Sequence, residues 1–256
     1  MNTINIAKDK KVYFTSDHHF GAPTRAASKP REEKFVSWLD SIKKDAEVLF
    51  VLGDLFDFWF EYKHVIPKGF TRVLGKLAEL SDSGIDIHFF VGNHDLWMNG
   101  YFEEEFNIKV YHSPHQFKLN DKTFFIGHGD GLGPHDKGYK RLKKVFKNSF
   151  FKWIYRWFHP DIGVRFAQHL SVKNKLISGD EDIRYTNDND EWLVQYAQRK
   201  LIDNHFDYFV FGHRHLPLEI QLNPNSKYLN LGDWITHFTY GVFHDGKLEL
   251  EKFKDE

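Results

Sequence analysis

The chain has 256 residues with 36 acidic and 35 basic side chains, so its overall charge favours no polyanionic partner. Hydrophobic residues make up 41% and charged residues 28%, which is typical of a folded domain and argues against a disordered chain. The absence of cysteine excludes disulfides and thiolate metal sites, and it favours a reducing, cytoplasmic compartment. Because residues 1–10 lack an apolar run and no long apolar stretch follows, we expect neither a signal peptide nor a membrane-spanning helix.

Short apolar runs predict the strands of a sheet that is buried on both faces. In chain order they are Val12–Thr15, Val48–Leu52, Ile87–Val91, Thr123–Ile126, Tyr208–Phe211, Tyr228–Leu231 and Tyr240–Phe243. Helical patterns lie between them at Glu32–Lys44, at Phe70–Ser81 and up to about Asn204. The alternation predicts an α/β fold in which helices cover the sheet layers.

The segment from Lys137 to Lys175 is rich in basic and aromatic residues and contains a single acid, Asp161. Apolar side chains recur there at steps of three and four, which predicts one helical stripe. The stripe consists of Leu142, Phe146, Phe150, Trp153 and Trp157. Pro160 either ends this helix or begins the next one, whose pattern runs from about Gly163 to Ile177. We therefore predict a core at 1–136 and 191–256, with a helical cap inserted at 137–190.

Five of the predicted strands are followed by polar residues of similar kinds. These are Ser16-Asp17-His18-His19, Gly53-Asp54, Gly92-Asn93-His94-Asp95, Gly127-His128 and Gly212-His213-Arg214-His215. Each motif alone is typical of a turn or of an interior histidine. In α/β sheets, however, ligands bind at the carboxyl ends of the strands, so five such ends in order predict one shared cleft.

Seven residues in these motifs have side chains that suit divalent metals such as Mn, Fe, Zn or Co. They are Asp17, His19, Asp54, Asn93, His128, His213 and His215. The set is large enough for two ions if one carboxylate bridges them, and such a pair can activate water and hold a phosphoryl group. Side-chain alternation places His19 rather than His18 beside Asp17. Asp57 and Asp95 are predicted to orient the imidazole ligands.

The five motifs resemble those of the calcineurin-like metallophosphoesterase superfamily, and together they span most of the chain. The resemblance implies a two-sheet sandwich flanked by helices. It also implies that each ion has three ligands and that Asp54 bridges both, the two sets being Asp17, His19 and His215 for one ion and Asn93, His128 and His213 for the other. A hydroxide held between the ions would attack phosphorus in line. His94 would contact the phosphate as an acid or electrostatic stabiliser, so the catalytic residues implied are Asp54 and His94.

A narrower resemblance, carried by the segment Gly53–Trp59 and by His128-Gly129-Asp130-x-Leu132, is to hydrolases of UDP-2,3-diacylglucosamine in lipid A biosynthesis. It implies two Mn²⁺ ions and cleavage of the substrate's pyrophosphate to UMP and 2,3-diacylglucosamine 1-phosphate. The substrate contacts that it implies are Asn93, His94, Asp136, Tyr139, Ser171, Lys175 and His213. Many members carry Arg at the position of His94, where this chain follows the wider superfamily.

The cap has the composition expected for a lipid-linked sugar nucleotide, which combines apolar chains with a charged diphosphate. Buried acyl carbons contribute about 0.8 kcal/mol each, and basic residues near anionic lipid about 1 kcal/mol each. The basic candidates are Lys140, Arg141, Lys143, Lys144, Lys147, Lys152 and Arg156. We expect peripheral docking on the cytoplasmic face of the inner membrane, and no nucleic-acid partner.

Three alternatives remain open from the sequence. The aromatic stripe can belong to the core, with the lysines facing water. The substrate can be another phosphodiester, a nucleotide or a phosphomonoester. A non-catalytic metal-binding scaffold with the same fold is a further reading, although such a protein is expected to lack some of the seven ligands.

Overall fold

The computed structural model describes residues 1–133, 144–146, 148–164 and 191–254. Two mixed six-stranded sheets pack face to face. The first sheet has the spatial order β12 (Lys247–Lys252), β11 (Thr239–His244), β2 (Lys11–Thr15), β3 (Ala46–Val51), β4 (Asp86–Phe90) and β5 (Lys109–Tyr111). The second has the order β1 (Asn2–Ile4), β6 (His115–Leu119), β7 (Lys122–Ile126), β8 (Tyr208–Phe211), β10 (Ser226–Leu231) and β9 (Pro217–Asn223).

Helices cover the outer faces of both sheets, which confirms the predicted two-sheet α/β sandwich. The first sheet is covered by α1 (Arg25–Ile42), α2 (Thr71–Asp82) and α3 (Tyr101–Phe106), and the second by α5 (Trp192–Asp203). Apolar side chains from both sheets fill the space between them. Strands buried on both faces need near-continuous apolar sequence, which explains why β3 reads Ala-Glu-Val-Leu-Phe-Val.

Two helix boundaries show how local chemistry fixes the elements. Helix α1 begins at Arg25, earlier than predicted, because Thr24 Oγ1 accepts a hydrogen bond from Ala27 N at 3.2 Å and caps the first turn. Helix α2 is followed by Gly84 with φ of 95°, a conformation that glycine adopts without steric cost. Among the described residues, none of the helices is both long enough and apolar enough to cross a bilayer.

The described part of the cap contains α4 (Ser149–Arg156). The predicted stripe is interrupted before α4, because Asn148 Oδ1 accepts from Phe150 N at 2.9 Å and starts a new helix. Pro160 begins the next helical stretch, 160–164, as proline does at a first helical position. Leu142 and most of 137–190 lie outside the described residues, so the cap boundaries stay a prediction.

Three of the four stripe residues that the structure describes lie outside the core. Phe150, Trp153 and Trp157 on and after α4 are 61%, 55% and 76% exposed. Phe146 alone packs inward, with its ring 5.3 Å from that of Trp97, whose Nε1 donates to the Phe146 carbonyl. The cap is thus attached to the core at one side and presents aromatic rings on the other.

Candidate active site

The carboxyl ends of β2, β3, β4, β7 and β8 converge, as the sequence predicts. Five of the predicted metal ligands there have positive φ, which is uncommon for residues with a Cβ atom. They are Asp17, His19, Asp54, His213 and His215, with φ between 47° and 69°. Such strained residues cluster where a protein needs a fixed constellation of side chains, at about 1–3 kcal/mol each.

The first cluster consists of Asp17, His19 and His215, whose candidate ligand atoms lie within 4.8 Å of one another. Nε2 of His19 is 3.2 Å from Nε2 of His215, which is 3.4 Å from Asp17 Oδ1. Asp17 and His19 are buried, whereas the His215 side chain is 22% exposed. The cluster therefore opens to solvent on the His215 side.

The second cluster consists of Asp54, His128 and His213, again within 4.8 Å. Asp54 Oδ2 is 3.4 Å from His128 Nε2 and 3.6 Å from His19 Nε2, so this one oxygen lies between the two clusters. Asn93 Oδ1 is 3.2 Å from His128 Nε2 and extends the second cluster. All seven predicted metal ligands are therefore gathered in one place, and Asp54 has the position expected of a bridge.

The spacing of these atoms, and a buried oxygen among them without a hydrogen-bond donor in the described part of the chain, fit bound cations. A metal about 2.1 Å from each ligand atom places neighbouring ligands about 3.0–3.4 Å apart, which is close to the separations described above. Asp17 Oδ1 is buried and has no hydrogen-bond donor in the described part of the chain, while Oδ2 accepts from His213 N at 2.8 Å. A buried acceptor without a partner is costly, and a divalent cation beside Oδ1 removes that cost.

Charge and burial perturb the titration of both clusters. Burial raises the pKa of Asp17. Burial also raises that of Asp54, but the imidazoles of His128 and His94 outweigh it and hold the Asp54 pKa well below its usual value. Burial lowers the pKa of His213 to about 3, so its ring is neutral and its lone pair is available. Burial lowers the pKa of His128 too, but the Asp54 carboxylate raises it to about 10; a metal ion must displace that proton.

Residues behind the clusters fix the imidazole orientations. Nδ1 of His128 lies 2.7 Å from the Leu52 carbonyl and donates to it, which leaves Nε2 for the cluster. Asp57 Oδ1 is 3.6 Å from His19 Nδ1, in agreement with the predicted orienting role. The same role predicted for Asp95 is wrong, because its oxygens accept from Gly92 N at 2.7 Å and Leu55 N at 2.9 Å and so tie two loops together.

Asp233 is the orienting residue that the sequence analysis missed. Its Oδ2 is 3.4 Å from His215 Nδ1, and its Oδ1 accepts three backbone N–H bonds from residues 235–237. Burial raises the pKa of Asp233, but His215 and these N–H groups lower it to about 2. The signal was present, since Gly232-Asp233 follows β10 as Gly53-Asp54 follows β3.

His94 lies at the edge of both clusters. Its Nδ1 donates to the Asp57 carbonyl at 2.9 Å, and a ring nitrogen lies within 4.8 Å of the ligand atoms of His19 and Asp54. Its backbone N donates to Asp54 Oδ1 at 2.8 Å. With a side chain 15% exposed, His94 can be reached by a substrate.

His18 and four of the predicted substrate contacts remain to be placed. His18 joins neither cluster: its Nε2 is 3.0 Å from Thr15 Oγ1, and its ring stacks 5.4 Å from that of Trp234. The predicted substrate contacts in and near the cap lie outside the described residues; they are Asp136, Tyr139, Ser171 and Lys175.

Comparisons with known proteins agree with this geometry. The family model described as calcineurin-like phosphoesterase matches residues 10–217. A protein named UDP-2,3-diacylglucosamine hydrolase from Porphyromonas gingivalis is 36% identical over 96% of this chain and 98% of its own length. Proteins of the same name from Histophilus somni and Shewanella piezotolerans are each 26% identical over 88% of this chain, and over 92% and 90% of their own lengths.

Proposed function

The chain belongs to the calcineurin-like phosphoesterase family and is a metal-dependent phosphoesterase. From this premise we propose that it hydrolyses the pyrophosphate of UDP-2,3-diacylglucosamine to UMP and 2,3-diacylglucosamine 1-phosphate, with two Mn²⁺ ions. The observation that carries the proposal is the match, over nearly the whole of both chains, to a relative named for that hydrolysis.

The two clusters supply the residues for the proposed reaction. Asp17, His19 and His215 would hold one ion and Asn93, His128 and His213 the other, with Asp54, which lies between the two clusters, available to both. When bound, two such ions lower the pKa of water and neutralise phosphoryl charge. His94 is anchored through Nδ1 on the Asp57 carbonyl, which leaves its other ring nitrogen to bind a phosphoryl oxygen or to move a proton there.

The surroundings of the site support a substrate with both a nucleotide and acyl chains. A cavity adjoins His128 and is lined in part by Tyr111, Leu132 and Lys144. Its volume of about 570 Å³ is within the usual range for ligand pockets. On the cap side, the Tyr155 ring lies 4.6 Å from Phe60 and 4.9 Å from Trp97. Phe60 and Trp97 follow Asp57 and Asp95 closely in the chain, so this aromatic contact attaches α4 to the two loops that carry these carboxylates.

The exposed aromatic face of α4 supports docking on the cytoplasmic face of the inner membrane. In the described part of α4 no side chain is buried, and Lys152 and Arg156 stand among the aromatic residues. Burial, and then the charge of Arg156, lower the pKa of Lys152, while the charge of Glu61 in the core opposes that shift. Aromatic and basic side chains together are the combination that binds an anionic bilayer interface.

The substrate assignment is tested by comparing UDP-2,3-diacylglucosamine with UDP-N-acetylglucosamine, which lacks the long acyl chains, in the presence of Mn²⁺. We expect UMP release from the acylated substrate, no release by Asp54→Ala, and a far lower kcat/KM without the acyl chains. Equal kcat/KM for both substrates would contradict the lipid assignment. Turnover by metal-stripped protein would contradict the metal mechanism.

Membrane docking is tested separately by co-sedimentation with vesicles of anionic or zwitterionic lipid. The double substitution of Trp153→Ser and Trp157→Ser should reduce binding to anionic vesicles. Ile202→Ser is a matched control, because Ile202 is an apolar residue that is 80% exposed on α5, outside the cap. Equal sedimentation of the tryptophan variant and the control would refute docking through α4.

A further inference from the structure

Arg31 on α1 holds the turn that carries the first cluster. One of its terminal nitrogens, Nη2, donates to the His19 carbonyl at 3.1 Å and to the Ala22 carbonyl at 2.6 Å. His19 has a φ of 47°, so this turn is strained and needs outside support to persist. Arg31 provides that support from a neighbouring helix, without being a candidate ligand itself.

The charge of the same guanidinium also acts on both carboxylates that orient the first cluster. Arg31 Nε is sealed from solvent and has no hydrogen-bond partner within the described ranges, so its charge is poorly screened. Burial lowers the pKa of Arg31, and the charges of Asp57 and then Asp233 oppose that shift. These two carboxylates stand 3.6 Å from His19 Nδ1 and 3.4 Å from His215 Nδ1.

The second cluster is supported differently. Nδ1 of His128 is held by the Leu52 carbonyl, an uncharged acceptor that belongs to the end of β3. The backbone N of His94 and the loop of Asp95 fix Asp54 from the β4 side. Arg31 makes its hydrogen bonds to the other loop, so we expect its removal to act on the first cluster.

We infer that Arg31 is a positioning residue that sets the affinity of the ion held by Asp17, His19 and His215. This inference rests on the proposed two-ion centre. Without Arg31 the turn loses two hydrogen bonds, Asp57 and Asp233 lose their shared cation, and the imidazoles of His19 and His215 are no longer fixed. Loss of outer residues of this kind typically lowers metal affinity about 10–100-fold.

A purely electrostatic role predicts the opposite sign. Removing a positive charge near a cation site makes the local potential more negative and strengthens metal binding. Arg31→Lys separates the two effects, because it keeps the charge but loses the planar fork that spans two carbonyls. Positioning therefore predicts weaker binding for both Arg31→Gln and Arg31→Lys.

The experiment is calorimetric titration of the metal-stripped full chain with Mn²⁺ alone. For the wild type we expect two sites; for both Arg31 variants we expect one site weakened about 10–100-fold and the other unchanged. Lys29→Gln, an exposed substitution on the same helix, is the control. In an Asp17→Asn background, which removes the first ion, Arg31→Gln should have no further effect on the remaining site.

The outcomes separate the two hypotheses. A wild type that binds fewer than two ions defeats the proposed two-ion centre, whatever the Arg31 variants do. The wild type can instead bind two ions while the sites of the Arg31 variants are unchanged, tighter or equally weakened. That result overturns the positioning role and leaves the two-ion centre standing. Circular dichroism and thermal unfolding of each variant show whether equal weakening comes from general loss of the fold.

Discussion

Gly92 is needed because the backbone of its loop passes directly against Asp54. A methyl group at Gly92 would collide with the Asp54 carboxylate and lie 2.7 Å from Asp54 N, whereas ordinary contacts begin near 3.4 Å. Gly92→Ala therefore forces a displacement of about 0.7 Å on the residue that lies between the two clusters. Because Gly92 is not among the positive-φ residues, the effect of alanine is steric rather than conformational.

We expect Gly92→Ala to lower kcat/KM about 10²-fold, since a shift approaching 1 Å in a catalytic constellation has that effect. The free energy of unfolding should fall by about 1–3 kcal/mol, as for other overpacked sites. Both are measured directly, by steady-state hydrolysis and by urea unfolding, with bound metal determined by elemental analysis.

Gly75→Ala is the matched control. Gly75 lies within α2, and a methyl group there meets no atom within 4 Å. Alanine should stabilise the protein by about 0.5–1 kcal/mol through helix propensity and leave activity unchanged. Wild-type activity and metal content in Gly92→Ala would refute the close-approach argument.

Three further predictions concern individual side chains. Glu191→Ala should lower the free energy of unfolding by about 3–5 kcal/mol, because the buried Arg214 loses the carboxylate that accepts from its Nε at 3.0 Å and 3.1 Å. A smaller loss in urea unfolding would count against a fully desolvated pair. Asp233 has a folded pKa of about 2 against an ordinary 3.8, so its stabilisation is present above pH 3.8 and lost as the pH falls toward 2. The stability difference between wild type and Asp233→Asn should therefore shrink over that window, and a constant difference would exclude the linkage. His94→Ala should slow kcat by ~10²–10⁴ with metal content unchanged, and loss of an ion would instead make His94 a ligand.

The strands and the ligand motifs could be predicted from the sequence because each depends on a local pattern. A strand buried on both faces must be apolar along its length, and the motif after it must turn sharply and present metal ligands. The prediction was less complete for edge strands. In β12, whose buried Leu248 alternates with exposed residues, the sequence Lys-Leu-Glu-Leu-Glu-Lys resembles a solvated segment.

The supporting residues were harder to predict because their roles depend on distance in space. Asp95 and Asp57 occupy similar positions after their strands, yet Asp95 accepts backbone N–H bonds while Asp57 faces an imidazole. Arg31 has no motif at all, and its contacts with the His19 turn appear only when α1 packs on the first sheet.

The sequence by itself determined the fold class and identified the seven candidate metal ligands, since both follow from hydrophobic patterning and from ligand types at strand ends. The tertiary structure decided which ligands face one another, which carboxylates orient them, and that the aromatic face of α4 is exposed. The physical reason is that patterning specifies which face of an element is buried. The distances between elements, and with them coordination and electrostatics, are fixed only when the two sheets and their helices pack together.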